Sequence, residues 1–171
     1  MTTSVPELIA AIQSAFADRA LPVQVVSPGP RGCDLREDAA HFVGVDRYAM
    51  SAEFLEEYCS GLSALTGEAF RHVLPGVMCT SIREARRDLM AVDLIIGALD
   101  RSNMPDSWDD GFVERYCALT PEECLACQQW IVWLGEDASS IGDAFWHSQL
   151  TRAFETIELI RGGANVNAGA S

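Results

Sequence analysis

The chain contains no lysine. Its 12 basic residues are all arginines, set against 25 aspartates and glutamates in 171 residues, for a formal net charge of -13 and an isoelectric point near 4.4. Such a surface repels nucleic-acid phosphates and anionic lipid, which excludes nucleic-acid and membrane-surface binding as first readings. Long hydrophobic runs are missing as well: no stretch reaches the roughly 18 apolar residues that span a bilayer. The N-terminus lacks the basic and apolar regions of a secretory leader, so a cytoplasmic location is expected. Cys33, Cys59, Cys79, Cys117, Cys124 and Cys127 therefore read as thiols in a reducing compartment rather than as a disulfide framework. Arginine in place of every lysine points to a GC-rich bacterial coding sequence.

The familiar catalytic signatures are also lacking. The sequence has no H-E-x-x-H, G-x-S-x-G, G-x-x-x-x-G-K-S/T or G-x-G-x-x-G, so hydrolase and nucleotide-binding templates have no footing. No catalytic residue, metal ligand or cofactor is assigned. The nearest approach is Cys124-x-x-Cys127, two thiols on one helix. A zinc site needs two further ligands. Cys79, Cys117 or His72 are the available recruits, but no second ligand pair accompanies them, and the pair reads as buried structural thiols. Asp106, Asp109, Asp110 and Glu114 are a carboxylate-rich group of the kind that holds hard cations. Their spacing is not that of an EF-hand, and they read as a solvated loop with acids at a helix N-terminus. His41, His72 and His147 stand alone and read as surface or satisfied core histidines.

What is present is helix. Length and a 49% hydrophobic fraction suffice for one ordinary core. Ser4-Val-Pro-Glu7 is a capping box that opens a helix over about 5–18. The segment from about 19 to 48 carries Pro and Gly turn formers and reads as an irregular excursion, with one extended piece at Val23–Val26. Ser51 caps a helix to about Ser60, and Thr66 caps another expected to stop near Pro75. Ser81-Ile-Arg-Glu84 has the form of a further capping box, and Ile82, Ala85, Leu89, Val92, Ile96 and Leu99 predict a helix over 82–99. A polar loop over 100–110 leads to a short turn at 110–117. Thr120-Pro-Glu-Glu123 starts a buried central helix that runs on to Leu134. Trp146, Leu150, Ala153, Ile157 and Ile160 predict a last helix over about 140–161, ended by Gly162-Gly163. The expected architecture is all-α: one domain over 1–163 of six or seven packed helices, with a disordered tail at 164–171.

Acidity is unevenly distributed. Residues 100–143 hold ten acids and two arginines, a net of -8, leaving -5 for the other 127 residues. Carboxylates beside exposed aromatics make a surface for a basic partner: charge speeds the encounter and aromatic anchors add affinity. Trp108, Asp109, Asp110, Phe112, Glu114, Glu122 and Glu123 are the contact candidates, with Trp108 and Phe112 taken as exposed anchors.

Leu62-Ser-Ala-Leu-Thr-Gly-Glu-Ala-Phe-Arg-His-Val-Leu-Pro-Gly-Val-Met78 and Leu119-Thr-Pro-Glu-Glu-Cys124 resemble the two landmark boxes of an uncharacterised family of small bacterial proteins. Phe16 and the stretch from Phe42 to Tyr48 look like its weaker N-terminal features. The resemblance covers about 5–135. Gly67 stands where that family tends to have proline, and His72-Val73 replaces aromatics before Leu74-Pro75. Because the boxes are helix caps and packing positions, the resemblance implies a shared fold rather than a shared chemistry. Small, acidic and helical, the chain is similar to immunity proteins that neutralise toxins delivered between competing bacteria. The expectation is a non-enzymatic protein that covers the basic active-site surface of a cognate effector toxin, with a nuclease as the expected class. The alternatives are an adaptor or regulator that binds another macromolecule inside the cell, and a thiol- or metal-dependent enzyme using Cys124, Cys127 and His72.

Overall fold

The computed structural model describes residues 4–28, 33–136 and 144–163. Among the described residues eight α-helices follow one another: α1 (Val5–Ala15), α2 (Cys33–Ala40), α3 (Ala52–Tyr58), α4 (Gly67–Arg83), α5 (Met90–Leu99), α6 (Asp110–Tyr116), α7 (Pro121–Gly135) and α8 (Ala144–Arg161). Short 3-10 segments lie at Cys59–Ala64 and Pro105–Ser107. The described residues contain no strand, only an isolated antiparallel bridge between Val26 and Leu65, and the fold is all-α as expected. The chain divides into two compact units, Met1–Leu94 and Ile95–Ser171. The expected helix start at 140 and the tail at 164–171 lie outside the described residues.

In the first unit the capping box at Ser4 forms, with Glu7 accepting from the Ser4 amide at 2.9 Å. α1 buries Leu8, Ile12 and Phe16 against α4. The turn that follows α1 is fastened by a buried cation. Arg47 donates to Phe16 O and Arg19 O, each at 2.8 Å. His72 joins them from α4 through Nδ1, 2.7 Å from Arg19 O. The same nitrogen lies 3.3 Å from Arg47 Nη1. The excursion at 19–48 is less irregular than its composition implies, because it contains α2, which packs on the 59–64 segment. That approach is close: a Cβ on Gly61 would fall within 3.0 Å of the Ala39 amide nitrogen. The extended piece at 23–26 is real, with Thr66 N donating to Val25 O at 2.9 Å and Ser27 N to Ala64 O at 2.8 Å.

Two boundaries differ from the sequence expectation. α4 does not stop near Pro75 but continues to Arg83. An interior proline forfeits a hydrogen bond and crowds the preceding turn, at a cost of about 3 kcal/mol. That cost is offset because every residue from Val73 to Ile82 is buried, each large apolar side chain contributing about 1.5–3 kcal/mol. Gly76 follows the proline, and a Cβ there would meet Arg47 O and Met50 Cε at less than 3.0 Å. The 47–50 segment therefore lies directly on the helix.

The expected single helix over 82–99 is instead the end of α4, a turn, and α5. Ser81 does not cap; its hydroxyl donates to Met78 O at 2.8 Å inside α4. Glu84 accepts from the Ala52 amide at the start of α3, at 3.2 Å. A left-handed Ala85 (φ 52°) ends α4, with Arg86 N bonded to Ser81 O at 2.8 Å and Ala85 N to Ile82 O at 3.2 Å. This is a Schellman motif with alanine where glycine is usual. The heptad spacing survives because Ile82 and Leu89 are both buried on either side of the break.

In the second unit, α7 begins at the Thr120 cap expected from the sequence, and α6 begins at Asp109, which was not read as a cap. Asp109 accepts from Phe112 N at 2.9 Å. Thr120 accepts from Glu123 N at 3.2 Å while Glu123 accepts from Thr120 N at 2.7 Å. α7 and α8 pack on each other and run antiparallel. Gln128 Nε2 donates to Glu158 Oε2 at 2.6 Å, and Arg161 Nη1 donates to Gln128 Oε1 at 2.8 Å, so the one buried amide of α7 is satisfied by α8. Ile157 and Ile160 of α8 are buried, as are Trp130, Ile131 and Leu134 of α7.

Candidate partner-binding surface

The acidic segment belongs to the second unit, and aromatics fix its shape from beneath. Trp108 is 7% exposed and Phe112 3%, so neither is the exposed anchor expected from the sequence. Trp108 Nε1 donates to Ser102 O at 2.9 Å. Its ring meets Phe112 edge-on at 5.1 Å, and Phe112 stacks on Tyr116 at 4.8 Å. Phe112 and Tyr116 form the buried face of α6, and Trp108, just before its cap, extends the stack. Arg101 lies over Phe112 at 4.8 Å and pairs with Asp109 Oδ2 at 2.9 Å.

The carboxylates fall into two groups. Asp109, Glu123 and Asp100 are committed internally. The Phe112 amide, and after it Arg101, hold Asp109 below the usual carboxylate range. Glu123 is 1% exposed, inside the α7 capping box. Asp100 is gripped by Arg152, with Nη2 to Oδ2 at 2.7 Å, and is also held low. Asp106, Asp110, Glu114 and Glu122 are exposed. Among the described residues Asp106, Asp110 and Glu122 have no ion-pair partner. Asp110 and Glu122 lie in the first turns of α6 and α7, where the helix dipole favours negative charge. Of the seven contact candidates, Asp110, Glu114 and Glu122 are thus displayed, Asp109 is displayed but paired, and Trp108, Phe112 and Glu123 are interior.

The thiols point inward. Cys124 and Cys127 are buried. Burial, and then the neighbouring Glu123 carboxylate, pushes the Cys124 thiol up to about 12, and burial followed by Cys124 raises Cys127 well above its ordinary value. A thiol held neutral is a poor nucleophile and a poor ligand. In the first unit His72 is tied to Arg19 O, and His41 stacks on Tyr58 at 3.9 Å.

One feature of this unit escaped the sequence reading. A cavity of about 520 Å³ opens between α7 and α8, lined by Ile131, Val132, Leu150, Phe154 and Glu155 among others. Val132 is 53% exposed and Phe154 36%. No spacing marked it, since Phe154 lies four residues after Leu150 and three before Ile157, on the flank of the stripe that buries α8.

A family model described as a family of unknown function (DUF6714) matches residues 4–145. The chain belongs to that family. The match runs from the α1 cap to the first turn of α8 and includes the acidic segment of this DUF6714 member. No curated protein and no solved structure matches the chain. Among the described residues no helix is long and apolar enough to cross a membrane.

Proposed function

We propose that this chain is an immunity protein: a non-enzymatic, cytoplasmic binding protein that neutralises a basic effector toxin, a nuclease in the leading case. The observation that carries the reading is the display of Asp106, Asp110 and Glu122, exposed and without an ion pair among the described residues, the first two beside the buried Trp108–Phe112–Tyr116 stack and the third at the start of α7. A nuclease presents cations to phosphate, and fixed carboxylates occupy that surface in place of the phosphates. Preorganisation favours such a role, since the backbone that carries these acids is already fixed in the first turns of helical segments and is not ordered anew on docking. The buried thiols with raised pKa values support a binding role over thiol chemistry.

The test is charge reversal at the displayed acids only. Asp109→Lys would remove the α6 cap and confound binding with folding, so the variant is Asp106→Lys with Asp110→Lys and Glu122→Lys. Association with the cognate toxin is expected to slow by roughly tenfold or more at low salt, with little change in dissociation. Unchanged association and unchanged salt dependence would remove this surface from the account.

A further inference from the structure

We infer that the α7–α8 groove is the anchor site for a bulky apolar side chain carried on a basic, amphipathic helix of the partner. The inference rests on the immunity reading for the existence of that partner, and adds where it docks and what it presents. Ile131 and Val132 on one side and Leu150 and Phe154 on the other make an apolar trough. Its volume of about 520 Å³ lies within the range of sites that enclose a ligand or side-chain cluster. Val132 and Phe154 are half-exposed there while their neighbours Ile131 and Leu150 are buried, so the core is complete without them. Two antiparallel helices with an apolar trough between them are the receptor half of helix-in-groove recognition.

Charge selects the occupant. Glu155 lines this cavity and also the adjoining one, with Glu158, Leu159 and Asn103. The cations of α8 are already engaged: Arg152 grips Asp100, and Arg161 bonds Gln128 and faces Glu158 at 3.5 Å. Glu158 is itself taken up by Gln128 and Arg161, so Glu155 is the carboxylate that makes the rim of the trough acidic. A second copy would bring like charge to it, since residues 95–171 hold twelve acids and four arginines, and like charges across an interface oppose binding. A helix with Leu or Phe at i, i+3 or i+4, and i+7, and Arg or Lys beside them, satisfies both trough and rim.

The probe is a synthetic peptide of about 16 residues, four helical turns, with that pattern. Its controls are an isomer with the apolar positions scrambled and a twin with Glu for every Lys and Arg. Binding is followed on the full chain by methyl NMR of Ile, Leu and Val, with circular dichroism confirming that the surface variants fold. The expected result is saturable shifts at Ile131, Val132 and Leu150, weakened about fivefold or more by Val132→Arg and by Glu155→Lys, and reduced by salt. Equal binding of the scrambled isomer, with no shifts at the groove, would overturn the groove while leaving the acidic surface standing. Equal binding of the glutamate twin would overturn the charge argument. Dimerisation of the chain that Val132→Arg abolishes would make a second copy the occupant and overturn the inference. No binding of any peptide would overturn it too, leaving the toxin assay to decide the immunity reading.

Discussion

Alanine in place of glycine inside a helix is ordinarily stabilising by about 0.8–1.0 kcal/mol, because glycine has more freedom to lose on folding. In this chain the sign should invert at Gly76. A Cβ there would come within 3.0 Å of both Arg47 O and Met50 Cε and to about 3.0 Å from the Arg47 carbonyl carbon. Met50 is buried but flexible and can give way at its tip. The Arg47 backbone cannot, because its side chain is fastened to Phe16 O and Arg19 O. Overpacking of this kind costs about 1–3 kcal/mol, and Gly76 sits at the upper end because the obstacle is backbone. Subtracting the propensity gain leaves Gly76→Ala destabilised by about 2 kcal/mol. The internal control is Gly97→Ala in α5, where nothing lies within 4 Å of the new Cβ and the change should stabilise by about 0.5–1 kcal/mol. At this chain length 1 kcal/mol moves a melting midpoint by about 2–4 °C, so the two variants should shift in opposite directions by several degrees in total. Urea titration with helical ellipticity as the signal gives the same comparison. Gly76→Ala equal to or more stable than the parent would refute the close approach of the 47–50 segment to α4, and with it the account of why that helix passes through Pro75.

Three further outcomes follow from the same geometry. Ala85→Gly should stabilise by about 0.5–1 kcal/mol, because the left-handed conformation at φ 52° burdens alanine and not glycine; a loss of stability in urea would contradict the Schellman termination. His72 is lowered from its ordinary pKa, first by burial and then by Arg47, so the unfolded chain takes up its proton more readily. Its contribution is complete above about pH 6.5 and declines as the pH falls below that; His72→Asn should flatten the fall in urea midpoint between pH 7.5 and 5.5, and an unchanged slope would rule the group out. Cys124 and Cys127, neutral and buried, should resist a thiol reagent at pH 8 in the native chain and react on unfolding, and rapid native labelling of either would contradict their placement.

The caps were the most legible part of the sequence. Ser4, Ser51, Thr66 and Thr120 each begin the helix they announced, because a cap is a local bond between residues three apart. Pro75 and Ser81-Ile-Arg-Glu84 misled for the opposite reason. Whether proline ends a helix depends on how much burial offsets its cost, and whether Glu84 caps its own helix or another depends on what lies nearby; it serves Ala52 of α3. The stripe from Ile82 to Leu99 spanned a turn because buried spacing can continue through a break. At the candidate surface the charge excess was readable, but which acids are displayed was not. Asp109 and Asp110 are neighbours, yet one is a cap with an arginine partner and the other has neither among the described residues. Trp108 and Phe112 look like anchors in a polar stretch and are the floor of that stretch instead. Val132 and Phe154, two of several exposed apolar residues, are brought to one groove only by the pairing of α7 and α8.

The most direct test of the central claim is affinity capture of the tagged full chain from lysate of the cells that make it, at stepped salt, followed by expression of the captured protein alone and with the chain. The account expects one stoichiometric basic partner that is released as salt rises and kills cells when expressed alone. Cells should be rescued by the chain and not by the Asp106→Lys, Asp110→Lys, Glu122→Lys variant. A harmless partner, or rescue by the charge-reversed variant equal to that by the parent, would contradict it.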